Sequence, residues 1–255
     1  MTGAAAANDR FDMGRVVNRT FGVIGRNFAV FALLSLIVAG IPAALVNYFT
    51  EARAAGVTYD ARLGSGIAGL ISFLASCVLQ ASLIHGTVSD LNGRRAVFGD
   101  CLATGMRFLL PVVGVSILTG LGVGAGLLLL IVPGVIMALA WCVNIPVVVV
   151  ERTGITSTFA RSANLTRGCR WPILGLVVAY GLVAWVIDVV GVVAARGFGV
   201  AGLTAVGFNP AEWIVLTAVQ VAQALVGAAG IASIYYELRS NREGVSAQQL
   251  ASVFD

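Results

Sequence analysis

"FLLPVVGVSILTGLGVGAGLLLLIVPGVIMALAWCVNIPVVVV", residues 108–150, lies between Arg107 and Glu151 and contains no charged side chain. A helix that crosses a bilayer needs about 20 mostly apolar residues, so this run holds enough chain for two. The Pro133-Gly134 pair near its middle is expected to form the tight turn between them. Four further uncharged stretches, Arg26 to Glu51, Arg62 to Asp90, Arg170 to Asp188 and Glu212 to Glu237, each suffice for one crossing. The pattern predicts six helices near residues 27–48, 64–90, 107–128, 133–150, 171–195 and 212–237. Hydrocarbon offers no hydrogen-bond partner to an open sheet edge, so the expected fold is an all-α polytopic membrane protein of six transmembrane helices.

Composition agrees. Mean hydropathy is +0.94 and 11% of residues are charged, where soluble domains carry roughly a quarter. All sixteen basic residues are arginines, and their placement is uneven. Arg10, Arg15, Arg19, Arg26, Arg94, Arg95, Arg107, the cluster Arg152, Arg161, Arg167 and Arg170, and Arg239 and Arg242 fall on one side of the expected membrane. Arg53, Arg62 and Arg196 fall on the other. The positive-inside rule then makes both termini cytoplasmic. The pI of about 9.2 reflects this topology, and no motif supports a nucleic-acid partner. "MTGAAAANDRFDMGR" has no apolar core followed by a small-residue cleavage site, so no cleaved signal peptide is expected. Cys77 and Cys142 fall within helices, and Cys101 and Cys169 on the reducing side, so no disulfide framework is expected.

Three segments between the spans share a pattern. "MGRVVNRTFGVIGRNF" places Met13, Val17, Thr20, Phe21, Ile24 and Phe28 on one helical face, with Arg15, Arg19 and Arg26 opposite. "VFGDCLATGMRF" sets Phe98, Cys101, Leu102 and Met106 against Asp100, Thr104 and Arg107. "ERTGITSTFARSANLTRGCRW" sets Ile155, Phe159, Ser162, Ala163 and Thr166 against Ser157, Arg161 and Asn164, with Thr156 or Ser157 as N-cap and Phe159 turned to the membrane. Each reads as a cytoplasmic interfacial amphipathic helix. Each precedes a hairpin whose returning span ends in a carboxylate: "SDLNGRR", "VERTG" and "YELRSNREG". The chain therefore divides into a tail (1–12), one membrane domain (13–237, with units near 13–92, 97–152 and 155–237) and a tail (238–255).

"LLLLIVPGVIMALAWCVNIPVVVVERTGITSTFARSANLTRGCRW", with "IYYELRSNREG", resembles the membrane domain attached to some glycerophosphodiester phosphodiesterases and the related stand-alone YciC-like bacterial membrane proteins. The shared features are Pro133-Gly134, Glu151, "FARSANLTRG" and Trp171. The resemblance implies a six-helix membrane domain of a bacterial inner membrane. Nothing in the chain resembles the soluble phosphodiesterase barrel, and one histidine does not supply its catalytic set, so phosphodiesterase activity is not implied.

Within the spans, His85 lacks the convergent ligands of a metal site, and no metal or cofactor is expected. The glycines of "GLGVGAG" form two small-xxx-small pairs, Gly120 with Gly124 and Gly122 with Gly126, suited to close helix packing. Asn144, Asp188, Gln220 and Gln223 are the intramembrane polar candidates, and Thr217 continues the stripe of Gln220 and Gln223. No nucleophile motif is present, and no enzyme is expected. The leading reading is a non-catalytic membrane or envelope module. Its partners are membrane phospholipids, whose anionic headgroups Arg15, Arg19, Arg107, Arg161, Arg167 and Arg170 bind. The alternatives are a small-solute or lipid transporter with a midplane polar site, and an accessory subunit joined to a protein partner or to a second copy.

Overall fold

A computed structural model of the chain describes residues 11–54, 60–196 and 210–243. Arg10 with most of the expected N-terminal tail, residues 244–255 of the C-terminal tail, and the side chains of Arg53, Arg62 and Arg196 lie outside the described residues. Among the described residues every regular element is helical. The first half contains α1 (Met13–Arg26), α2 (Phe28–Ser35), a π-helical turn (Leu36–Gly40), α3 (Ile41–Ala54), α4 (Asp60–Leu91), α5 (Phe98–Arg107) and α6 (Leu109–Leu129). The second half contains α7 (Ile131–Ala140), α8 (Asn144–Pro146), a second π-helical turn (Val147–Glu151), α9 (Ile155–Thr166), α10 (Arg170–Arg196) and α11 (Pro210–Glu243).

Six stretches are long and apolar enough to cross a membrane: Phe28–Thr50, Leu63–Leu91, Leu109–Leu129, Ile131–Glu151, Arg170–Ala194 and Ile214–Glu243. The chain is a multi-pass, all-α membrane protein. A short helix precedes the first, third and fifth spans: α1, α5 and α9.

The boundary between spans 3 and 4 differs from expectation. The turn is a single extended residue, Leu130 (φ −162°, ψ 145°), and Pro133 sits in the first turn of α7. There its missing N–H forfeits nothing, because the first helical amides have no intrahelical acceptor. Gly134 serves the close approach of the two helices instead, since a Cβ on Gly126 would lie 2.9 Å from its Cα. Gly122 backs onto Trp141, whereas Gly120 and Gly124 have no neighbour within 4 Å. Only one of the two expected glycine pairs is therefore a packing surface. Lower in span 4, Pro146 offers no N–H to the Cys142 carbonyl, and the helix is interrupted before resuming as a π-helical turn.

Three buried clusters form the core. Val16, Leu139, Val143, Leu165, Ile173 and Tyr235 belong to one. Val23, Phe31, Leu34, Leu83, Cys101 and Leu225 belong to the second, and Ile84, Val112, Val115, Val148 and Ala232 to the third. Span 6 contributes to all three and so ties the hairpins together. Span 5 packs on one side against span 6 and is otherwise largely open, with 6% of its apolar window buried. Trp185, Leu182 and Val183 on it are exposed, an apolar face suited to acyl chains.

α1 has three faces rather than two. Asp12 caps it by accepting from the Arg15 N–H at 3.2 Å. Met13, Val17, Phe21 and, just past its end, Phe28 are exposed, an apolar stripe with no protein cover. Val16, Thr20 and Val23 are buried against the bundle, which corrects the placement of Thr20 with the membrane-facing residues. Arg15, Arg19 and Arg26 form the third face. In α9 the N-cap is Gly154, not Thr156 or Ser157, and the Ser157 and Thr158 hydroxyls donate back to its carbonyl at 2.8 and 2.9 Å. Phe159 turns inward, edge-on to Trp141 with ring centroids 5.0 Å apart.

Candidate functional site

Arginines of two short helices meet the carboxylates that end the returning spans. At the junction of α1 and span 1, Asn27 leaves helical geometry (φ −117°, ψ 21°). Its amide donates to the Val23 carbonyl (3.1 Å) and to Asp90 (2.7 Å), and its Oδ1 accepts the Ala96 N–H at 3.1 Å. Asp90 also receives Arg26 through Nε at 3.1 Å and through Nη2. One asparagine thus fixes the corner of α1, the end of span 2 and the approach to α5. The bond to Asp90 holds the Arg26 guanidinium above its ordinary pKa.

Glu237 on span 6 is 1% exposed and lies between Arg15 (Nε, 3.0 Å) and Arg19. The Arg19 guanidinium also lies over the Tyr236 ring, 5.1 Å from its centroid. The third centre gathers around Arg161 of α9. Its Nε and Nη2 donate to the two Glu151 oxygens at 2.8 and 3.1 Å, and Nη2 also reaches Glu243. These two carboxylates, Glu151 first, raise its pKa. The buried Tyr235 hydroxyl donates to Glu151 at 2.9 Å, and Arg239 donates to Glu243 at 2.8 Å. Arg242 caps the end of α9 by donating to the Leu165 carbonyl (3.3 Å) and to the Arg167 carbonyl. Within α9, Ser162 and Thr166 donate to the Ala140 carbonyl at 2.8 and 3.3 Å, securing the helix under the break in span 4.

The six arginines singled out from the sequence therefore separate. Arg15, Arg19 and Arg161 are committed to carboxylates. Arg107 and Arg167 are exposed and, among the described residues, no carboxylate pairs with either. Arg170 is half-buried, with an Nε that has no hydrogen-bond partner. Arg94 and Arg95 are also exposed and unpaired among the described residues. Along α1 runs an open groove of about 480 Å³ lined by Asp12, Gly14, Arg15, Asn18, Arg19 and Arg26.

The intramembrane polar residues form two separate interhelical links. Asn144, 2% exposed, donates to Thr119 of span 3 at 3.0 Å. Gln223 of span 6 donates to Asp188 (3.0 Å) and to the Ala184 carbonyl (3.2 Å) of span 5, while Tyr180 donates to the Gln223 carbonyl at 2.8 Å. Gln220 is exposed and joins neither link. His85 is half-buried in span 2, and no group of three or more metal-ligating side chains occurs among the described residues. The Cys101 thiol, outside the spans, is pushed up to about 11 by burial.

The fold and this belt define a multi-pass helical membrane protein with an ion-paired rim at one end of the bundle. No protein-family model, curated protein or solved structure matches the chain.

Proposed function

We propose that the chain is a non-catalytic bacterial inner-membrane protein of the class it resembles, a lipid-associated module with both termini and its arginine rim on the cytoplasmic side. The rim associates with anionic phospholipid headgroups. Arg107 and Arg167, with Arg94, Arg95 and Arg170, make the headgroup contacts, while Arg15, Arg19 and Arg161 chiefly hold the helices. The supporting observation is the adjacency of uncommitted arginines and exposed apolar side chains: Met106, 58% exposed, precedes Arg107, and Trp171, 84% exposed, follows Arg170. A guanidinium beside a bare apolar side chain suits the boundary where phosphate and acyl chain meet.

Each such arginine contributes about 1 kcal/mol near an anionic surface. Changing Arg107 and Arg167 together to Gln should lower retention of phosphatidylglycerol in native mass spectrometry by at least about tenfold, with folding intact. Unchanged retention in folded double variant rejects the proposal. Arg161→Gln serves as the contrast, since its loss falls on stability.

A further inference from the structure

The α1 groove has a charge balance unlike the rest of the rim. Arg15, Arg19 and Arg26 line it, but Glu237 and Asp90 stand behind them and Asp12 closes one end. Three cations face three carboxylates, leaving no net charge. The guanidiniums nevertheless keep donors to spare. Glu237 faces the buried Arg15 Nε at 3.0 Å without hydrogen-bond geometry and accepts from Arg19 through Nη1, and Asp90 takes Arg26 through Nε and Nη2. Each guanidinium has five N–H bonds, so the terminal nitrogens of Arg15, Nε and Nη2 of Arg19 and Nη1 of Arg26 remain for a ligand.

Access comes from the lipid side. At about 100° per residue, Gly14, Asn18, Gly22 and Gly25 occupy the strip between the apolar stripe and the arginine row. No other helix approaches these glycines. Gly25 has nothing within 4 Å, Gly14 meets only Asp12 and Gly22 only Nη1 of Arg26. A headgroup whose chains lie along Met13, Val17 and Phe21 crosses this low strip to the arginines. Asp12, with a side chain 56% exposed and one oxygen 4.0 Å from Arg15, supplies an acceptor beside the phosphate position.

Resting on the lipid-associated reading above, we infer that this groove seats one phosphoethanolamine headgroup, its phosphate on Arg15 and Arg19 and its ammonium on Asp12. A neutral groove with separated charges matches a ligand that carries both signs. A glyceryl headgroup brings no cation for Asp12, and a choline brings one without an N–H to donate.

The test is native mass spectrometry of the folded full chain with equimolar phosphatidylethanolamine, phosphatidylglycerol and phosphatidylcholine of the same acyl composition. With Arg107→Gln and Arg167→Gln in place to remove the anionic-lipid contacts, one phosphatidylethanolamine should be retained at least fivefold over the others. Asp12→Asn, which keeps an equally good N-cap, should abolish that preference. Gly14→Gln with Gly25→Gln, which blocks the strip without removing an ion pair, should lower retention of that lipid. Soluble phosphoethanolamine, lacking acyl chains, should leave the lipid bound. Equal or greater retention of phosphatidylglycerol in that Arg107→Gln, Arg167→Gln background, a preference that survives Asp12→Asn, or displacement by the soluble headgroup overturns the inference. Because the groove is read in that background, failure of the anionic-lipid proposal is read separately.

Discussion

Glu237 offers a test with a built-in asymmetry. Its carboxylate is 1% exposed, whereas the Arg15 and Arg19 side chains that hold it are 34% and 26% exposed. Removing the carboxylate as Glu237→Gln leaves two cations that turn outward to water, so the loss approaches that of a partly exposed pair, about 1 kcal/mol. Removing both cations, as Arg15→Gln with Arg19→Gln, strands a carboxylate with almost no solvent access. Uncompensated buried charge costs about 3–5 kcal/mol, and the lost cation–π contact of Arg19 with Tyr236 adds about 0.5–1 kcal/mol. The arginine double variant should therefore be the less stable by at least about 2 kcal/mol. Reversible unfolding in mixed micelles, followed by tryptophan fluorescence, measures both. Equal losses, or a larger loss in Glu237→Gln, would refute the view that a buried carboxylate, with its arginines at the rim, dominates this contact.

Two further outcomes follow from packing. Gly126→Val places new atoms against the Gly134 backbone and should destabilise by about 1–3 kcal/mol, while Gly124→Ala, with nothing within 4 Å, should stay within about 0.5 kcal/mol of wild type; equal effects in thermal denaturation would contradict the hairpin geometry. Cys101 should resist maleimide at neutral pH, because a thiol pushed up to about 11 and 1% exposed has a thiolate fraction of about 10⁻⁴ at pH 7. Its raised pKa favours the protonated fold, so this stabilisation is complete below pH 9 and is lost as pH climbs toward 11; labelling of the folded protein at the rate of a free thiol would disprove it.

Span positions could be read from the sequence because they depend on the length of uncharged runs, a property local to each helix. The turn between spans 3 and 4 could not, because Pro followed by Gly marks a helix start as well as a bend, and one extended leucine carries no turn signature. Arginine partners were hidden for a different reason. Arg26 meets a carboxylate 64 residues away and Arg19 one 218 residues away, so no local pattern connects them. The recurrence of a carboxylate at the end of each returning span was the available signal, and charge alone left open whether lipid or protein would meet the arginines. Asn27 was missed because it falls where the amphipathic segment runs into the first uncharged span, and no local pattern marks a corner there. Only the tertiary neighbours Asp90 and Ala96 reveal it as a corner.

The one-residue connection at Leu130 bears on how the chain enters the bilayer. Leu128, Leu129, Leu130, Ile131 and Val132 are 90, 79, 69, 74 and 67% exposed, so the apex of this hairpin is as greasy as its arms. A polar loop would hold the tip of a hairpin in water; this one has none. The two arms must enter the membrane together, since neither can wait outside for the other. At this apex a water-soluble label meets only apolar side chains. On the side remote from the arginine rim, the middle of the chain therefore presents an apolar apex where a polar loop is usual.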